Sequence, residues 1–132
     1  MSRPSDVADV VRAFYDAYAA RDIDAIERMS SDDENAVAIG TDPNEWWTGG
    51  QNIKEAMREQ LAAGELGLKP GDPNIGQAGD VAWFADRPAF VLPGGEEIPC
   101  RLTGVLRRED GEWKLVQSHC SIGVPNTQAF GS

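Results

Sequence analysis

Histidine and cysteine are scarce in this 132-residue chain, which has one histidine, His119, and two cysteines, Cys100 and Cys120. Two cysteines are too few for a disulfide scaffold, and without a CxxC pair a Cys/His zinc site is excluded. No metal or cofactor is therefore expected. Carboxylates would be the only route to a metal. Long apolar runs are also missing. None approaches the ~20 residues that span a bilayer, so no membrane partner is expected. The opening Met1-Ser2-Arg3-Pro4-Ser5-Asp6 lacks the apolar core of a secretory signal, which points to a cytoplasmic location with free thiols. Positive charge is short as well: 12 Lys and Arg against 22 Asp and Glu leave a net charge of −10. That balance argues against a nucleic-acid partner or an anionic membrane surface.

What is present suits one globular domain, with 41% hydrophobic and 26% charged residues. Val7, Val10, Val11, Phe14 and Tyr18 recur at three- and four-residue steps, predicting a helix capped by Ser5. Asp22 is placed to cap a short second helix with Ile23, Ile26 and Met29 on its buried side. Strands are expected at residues 36–39 and 45–48, around the turn Thr41-Asp42-Pro43-Asn44. A third helix follows from about Asn52, with Ile53, Ala56, Met57 and Leu61 on one face.

The pattern then changes to strands. Residues 67–79, broken by Pro70, Gly71 and Pro73, predict an irregular or edge strand. Residues 81–91 form a strand interrupted near Pro88. Residues 98–108 and 112–122 are the two strongest strands, joined at Asp110-Gly111. Helices followed by strands make an α+β fold, about three N-terminal helices packed on a curved antiparallel sheet. Such a sheet leaves a cavity at its open end.

Three stretches carry a family resemblance from about Asp6 to Pro125. They are Val10-Val11-Arg12-Ala13-Phe14-Tyr15 with Ala20-Arg21-Asp22-Ile23-Asp24-Ala25-Ile26, Gly40-Thr41-Asp42-Pro43 with Trp46-Trp47-Thr48-Gly49, and Asp110-Gly111-Glu112-Trp113-Lys114-Leu115-Val116 with His119-Cys120-Ser121. Together they resemble the SnoaL-like, ketosteroid-isomerase-like branch of the nuclear-transport-factor-2-like superfamily. The last stretch also resembles the association domain of calcium/calmodulin-dependent kinase II. The resemblance implies a single cone-shaped domain over residues 1–132, with a core of about 6–125 and a loose tail at 126–132. It implies a pocket between helices and sheet for a small, partly apolar molecule, and homodimers through the sheet face. A reaction is not implied, since the superfamily holds isomerases, cyclases, dehydratases, binders and assembly modules.

Ketosteroid-isomerase chemistry needs a carboxylate base, a phenol and a neutral carboxylic acid. Matched to this chain, the phenol's place falls on Phe14, the base's near Ile39 or Gly40, and the acid's near Thr103 or Gly104. None can fill its role. Asp42 and Tyr18 lie close enough to substitute, although Asp before Pro more often forms a turn. His119 is a candidate general acid/base, with Ser121 on the same strand face, or else a structural histidine in the sheet or at a dimer face. No Gly-x-Ser-x-Gly elbow supports a Ser/His hydrolase.

The hairpin register bears on His119. A two-residue loop sets Glu109 opposite Glu112 and Arg101 opposite Cys120, putting Leu102, Gly104 and Leu106 on the His119 face. A three-residue loop sets Cys100 opposite Cys120 and moves Arg101 to that face. The first groups the apolar residues and is preferred. Arg101 would meet a ligand carboxylate, or Asp86 on a neighbouring strand. Trp46 and Trp47 point to opposite faces of an extended segment, so only one can line the pocket. The expected wall is Tyr18, Trp46, Trp83 and His119, with Arg101 and Ser121 as further contacts.

Overall fold

The computed structural model describes residues 6–64 and 66–131. The first helix, α1 (Val7–Ala20), is capped by Asp6, whose carboxylate accepts the Ala8 N–H at 2.9 Å; Ser5 lies outside the described residues. Val7, Val11 and Tyr15 form its buried stripe, and Arg21 ends it with a left-handed φ of 56°. Asp22 caps α2 (Ile23–Arg28) by accepting the Ala25 N–H.

Two short strands follow, β1 (Val37–Ile39) and β2 (Trp46–Thr48), then α3 (Gly50–Ala63). This helix starts two residues earlier than expected: the Gly49 carbonyl already accepts the Ile53 N–H at 3.0 Å, and Gly50 lies close to the 31–32 backbone. A Cβ there would sit 2.4 Å from the Ser31 carbonyl oxygen. The remaining strands are β3 (Gly67–Lys69), β4 (Asn74–Ala78), β5 (Val81–Asp86), β6 (Ala89–Val91), β7 (Glu97–Pro99), β8 (Arg101–Glu109) and β9 (Glu112–Ser121). The tail, expected to be loose, carries a short exposed helix, α4 (Asn126–Phe130).

The strands make a six-stranded sheet in the order β2-β1-β9-β8-β5-β4 and a three-stranded sheet in the order β3-β6-β7. The larger sheet is mixed, not wholly antiparallel, because β1 runs parallel to β9. The chain leaving α2 is laid along β9 in that direction: Leu115 N–H bonds to Met29 O and Ser31 N–H to Leu115 O. The second sheet exists because both long strand segments bend, one after Asp86 and the other at Cys100. Cys100 N–H bonds to Pro88 O at 2.9 Å, tying the two bends together.

Asp86 anchors this corner. It is 5% exposed and accepts the Tyr15 O–H at 2.5 Å, the Gly71 N–H at 3.0 Å and the Arg87 N–H at 2.7 Å. The expected Asp86–Arg101 ion pair is therefore replaced by neutral donors. Val7, Val11, Tyr15, Leu68, Phe84, Leu106 and Trp113 belong to the core between α1 and the sheets.

The β8–β9 hairpin has the two-residue loop, with Asp110 and Gly111 both at positive φ (53° and 83°) and Glu109 opposite Glu112. This is the type I′ geometry that suits strand twist. Pairing then shifts by one residue: Leu106 faces Leu115, but Val105 faces Gln117. Val116 is the extra residue of a β-bulge. Beyond it every side chain of β9 changes face, so Cys120, not His119, joins the Leu102 side, and Arg101 faces Ser121.

Candidate functional site

A cavity of about 420 Å³ opens between α1, α3 and the concave side of the sheets. Its wall is largely apolar, and five aromatic side chains take part: Phe14, Tyr18, Trp47, Phe84 and Phe90. Phe14 and Tyr18 are one helical turn apart on α1, so the 3.6-residue repeat puts both on this side. Polar groups are few: Arg21, Thr41, Glu45, Gln60, Ser118 and Cys120.

The bulge decides what the last strand contributes. Past Val116, Ser118 and Cys120 turn into the cavity, while His119 is exposed on the opposite face, beside Thr103 and Ile39. Tyr18 is in the cavity wall. Trp46 is 63% exposed on the outer side of β2, and its neighbour Trp47 lines the cavity instead. Trp83, 47% exposed, lies over Gly76 on the outer face, where a Cβ would sit 2.4 Å from its ring. Arg101 is exposed, and its guanidinium packs on Gly123. Ser121 is half-buried beside it. Asp42 sits in an exposed turn, accepting the Asn44 N–H at 3.0 Å. The structure thus brings Tyr18 into the cavity and leaves Trp46, Trp83, His119, Arg101, Ser121 and Asp42 out of its lining.

The carboxylate of the site is Glu45. Its Oε1 accepts the Asp42 N–H at 3.0 Å and its Oε2 the Gln60 side-chain amide at 3.4 Å. It folds over Gly40, where a Cβ would lie 2.4 Å from Oε1. The missing side chain at position 40 is thus what admits this carboxylate. Burial pushes the Tyr18 phenol up from its ordinary value, with the Arg21 charge opposing, and keeps it a neutral donor. Burial also raises Cys120 to about 12, helped by Cys100 and by the negative charge of Glu45. Cys100 is buried and likewise raised by burial, so both thiols stay protonated near neutrality. Chemically, the cavity offers a proton acceptor, a phenolic donor and one poorly nucleophilic thiol, Cys120. Among the described residues no group of three or more His, Cys, Asp or Glu could hold a metal, and no helix is long and apolar enough to cross a membrane.

Glu45, Ser118 and Cys120 were hidden from sequence reasoning. The one available signal for the strand residues is the adjacent pair Leu115-Val116, which breaks the alternation of β9 where the bulge forms.

The model of the SnoaL-like domain matches residues 7–125. The chain belongs to the SnoaL-like domain family. Solved structures with this SnoaL-like fold include a nuclear-transport-factor-2-like protein of unknown function from Pseudomonas putida, at 20% identity and TM-score 0.79 over 89% of this chain and 84% of that one. A proposed dehydratase of the same superfamily from Streptomyces avermitilis is 17% identical, at TM-score 0.78 over 92% and 96%. A proposed ketosteroid isomerase from Parabacteroides distasonis is 20% identical, at TM-score 0.72 over 95% and 91%. At these identities the likeness speaks to the fold alone. No curated protein matches the sequence.

Proposed function

We propose that this SnoaL-like domain binds a small, mainly apolar molecule in the cavity under α1 and α3. The observation carrying this reading is the cavity itself: about 420 Å³, aromatic over much of its wall, with a few convergent polar groups. Ligand sites are commonly roughly 300–1,000 Å³ and built this way. A thermal-shift panel of neutral one- to three-ring compounds tests it, since a ligand at about 100 times its Kd stabilises the fold by about 2.7 kcal/mol. Ser118→Trp, which fills the cavity from β9, should abolish the shift while the domain stays folded. Equal shifts in both proteins would sink the reading.

One observation favours a second reading, acid–base chemistry: the wall holds a carboxylate, Glu45, together with a phenol, Tyr18. Exchange of solvent deuterium into enolisable ketones, followed by NMR, tests it. Exchange above background that disappears in Glu45→Gln supports it, and no exchange across the panel counts against it. In this reading the acid–base role belongs to Glu45 rather than to His119 or Asp42.

We further propose that the domain works in the cytoplasm as a homodimer joined through the outer sheet face. Support comes from the row Trp46, Ile39, His119, Thr103 and Ala85, with Val37, Gln117, Val105 and Trp83 beside it, a broad and largely uncharged surface. Exposed indoles at 63% and 47% are unusual unless something covers them. Sedimentation at micromolar concentration should show a dimer that Trp83→Glu dissociates. A monomeric wild type would refute this.

A further inference from the structure

The cavity lining carries one charge of each sign, and the two differ in their partners. Arg21 and Glu45 are the charged side chains in its lining. Arg21 is directed at backbone acceptors: its Nη2 donates to the Leu66 carbonyl at 2.7 Å, and its backbone closes the C-terminus of α1, where the helix presents partial negative charge. Glu45 has only neutral donors, the Asp42 N–H and the Gln60 amide. None of the ion pairs among the described residues includes it. Its charge is felt inside the cavity, where it raises the Cys120 thiol. Five aromatic rings share the wall, and their faces attract cations as well as apolar surface. The net charge of −10 favours the approach of cations over anions.

Resting on the reading that the cavity is a binding site, we propose that it selects organic cations: molecules with a ring body for the aromatic wall and a protonated amine held by Glu45. An ammonium N–H would donate to the carboxylate, whose two neutral donors leave lone pairs available. A carboxylate-bearing ligand would instead meet Glu45 as a like charge, while Arg21 donates to the Leu66 carbonyl.

Three probes of one shape separate this from the parent reading: 2-naphthylmethylamine, 2-naphthalenemethanol and 2-naphthoate, which are positive, neutral and negative at neutral pH. Calorimetry at fixed ionic strength should give the amine a Kd about tenfold below the alcohol's, with the naphthoate weakest. Glu45→Gln keeps an acceptor for the Asp42 N–H and should remove the amine's advantage over the alcohol, with a wild-type circular-dichroism spectrum showing that the variant is folded. If the alcohol or the naphthoate binds wild type as tightly as the amine, or if Glu45→Gln keeps the preference, the cation inference falls and the binding site stands. If none of the three binds up to millimolar concentration, both fall.

Discussion

Replacing Tyr15 with phenylalanine removes one oxygen from the corner where the second sheet begins. That oxygen donates to Asp86 Oδ2 at 2.5 Å, and the two residues are 3% and 5% exposed. Water has little access to replace the lost donor, and Asp86 keeps only the Gly71 and Arg87 N–H groups. A hydrogen bond to a charged group contributes about 1.5–3 kcal/mol. The expected loss is therefore about 2 kcal/mol, or about 6–10 °C in Tm for a domain of this size. Function should follow, because Leu68 and Phe90 of the smaller sheet line the cavity and depend on this corner. The loss has a pH signature. Burial, then the Asp86 hydrogen bond and charge, push the Tyr15 phenol well above its ordinary value. Its contribution is fully present below the unfolded value of about 10 and declines above it, because the unfolded chain releases this proton first. By about pH 11 the gap between wild type and Tyr15→Phe should narrow by about 1.4 kcal/mol. Urea denaturation at neutral and alkaline pH measures both quantities. A variant as stable as wild type at neutral pH, or a gap that widens as pH rises, would refute the reasoning.

Cys120 obeys the same sign: its thiol is raised to about 12 in the folded state, so its stabilisation is lost as pH rises from the unfolded value of about 8.5 toward 12. Cys120→Ala should lose stability less steeply than wild type between about pH 9 and pH 11 in urea titrations, and parallel curves would contradict the assignment. At Gly104 a Cβ would lie 2.4 Å from the Phe84 ring and 3.0 Å from Leu115, both cavity-wall residues. Gly104→Ala should cost about 1–3 kcal/mol by overpacking, and an unchanged denaturation midpoint would show that the wall yields more readily than its packing implies.

Much of the local structure was legible because it is written in short-range physics. The 3.6-residue stripe of α1, the Asp22 cap and the Asp110-Gly111 turn depend on neighbours within a few positions. Other features were not. Asp86 was expected to pair with Arg101, since both are charged strand residues. Tyr15 took that place from a helix 71 positions away, and no local pattern encodes such a contact. Glu45 went unnoticed because its role depends on the missing Cβ of Gly40 and on Gln60, which reaches it from α3.

By itself, the sequence determined that this is an acidic α+β domain with a tight final hairpin, and its motifs pointed to the SnoaL-like family. Tertiary structure alone decided which side chains face the cavity. A single extra residue at Val116 turned His119 outward and Ser118 and Cys120 inward. Strand side chains alternate with a period of two, so a one-residue shift that is invisible in composition or motif exchanges the two faces of a sheet.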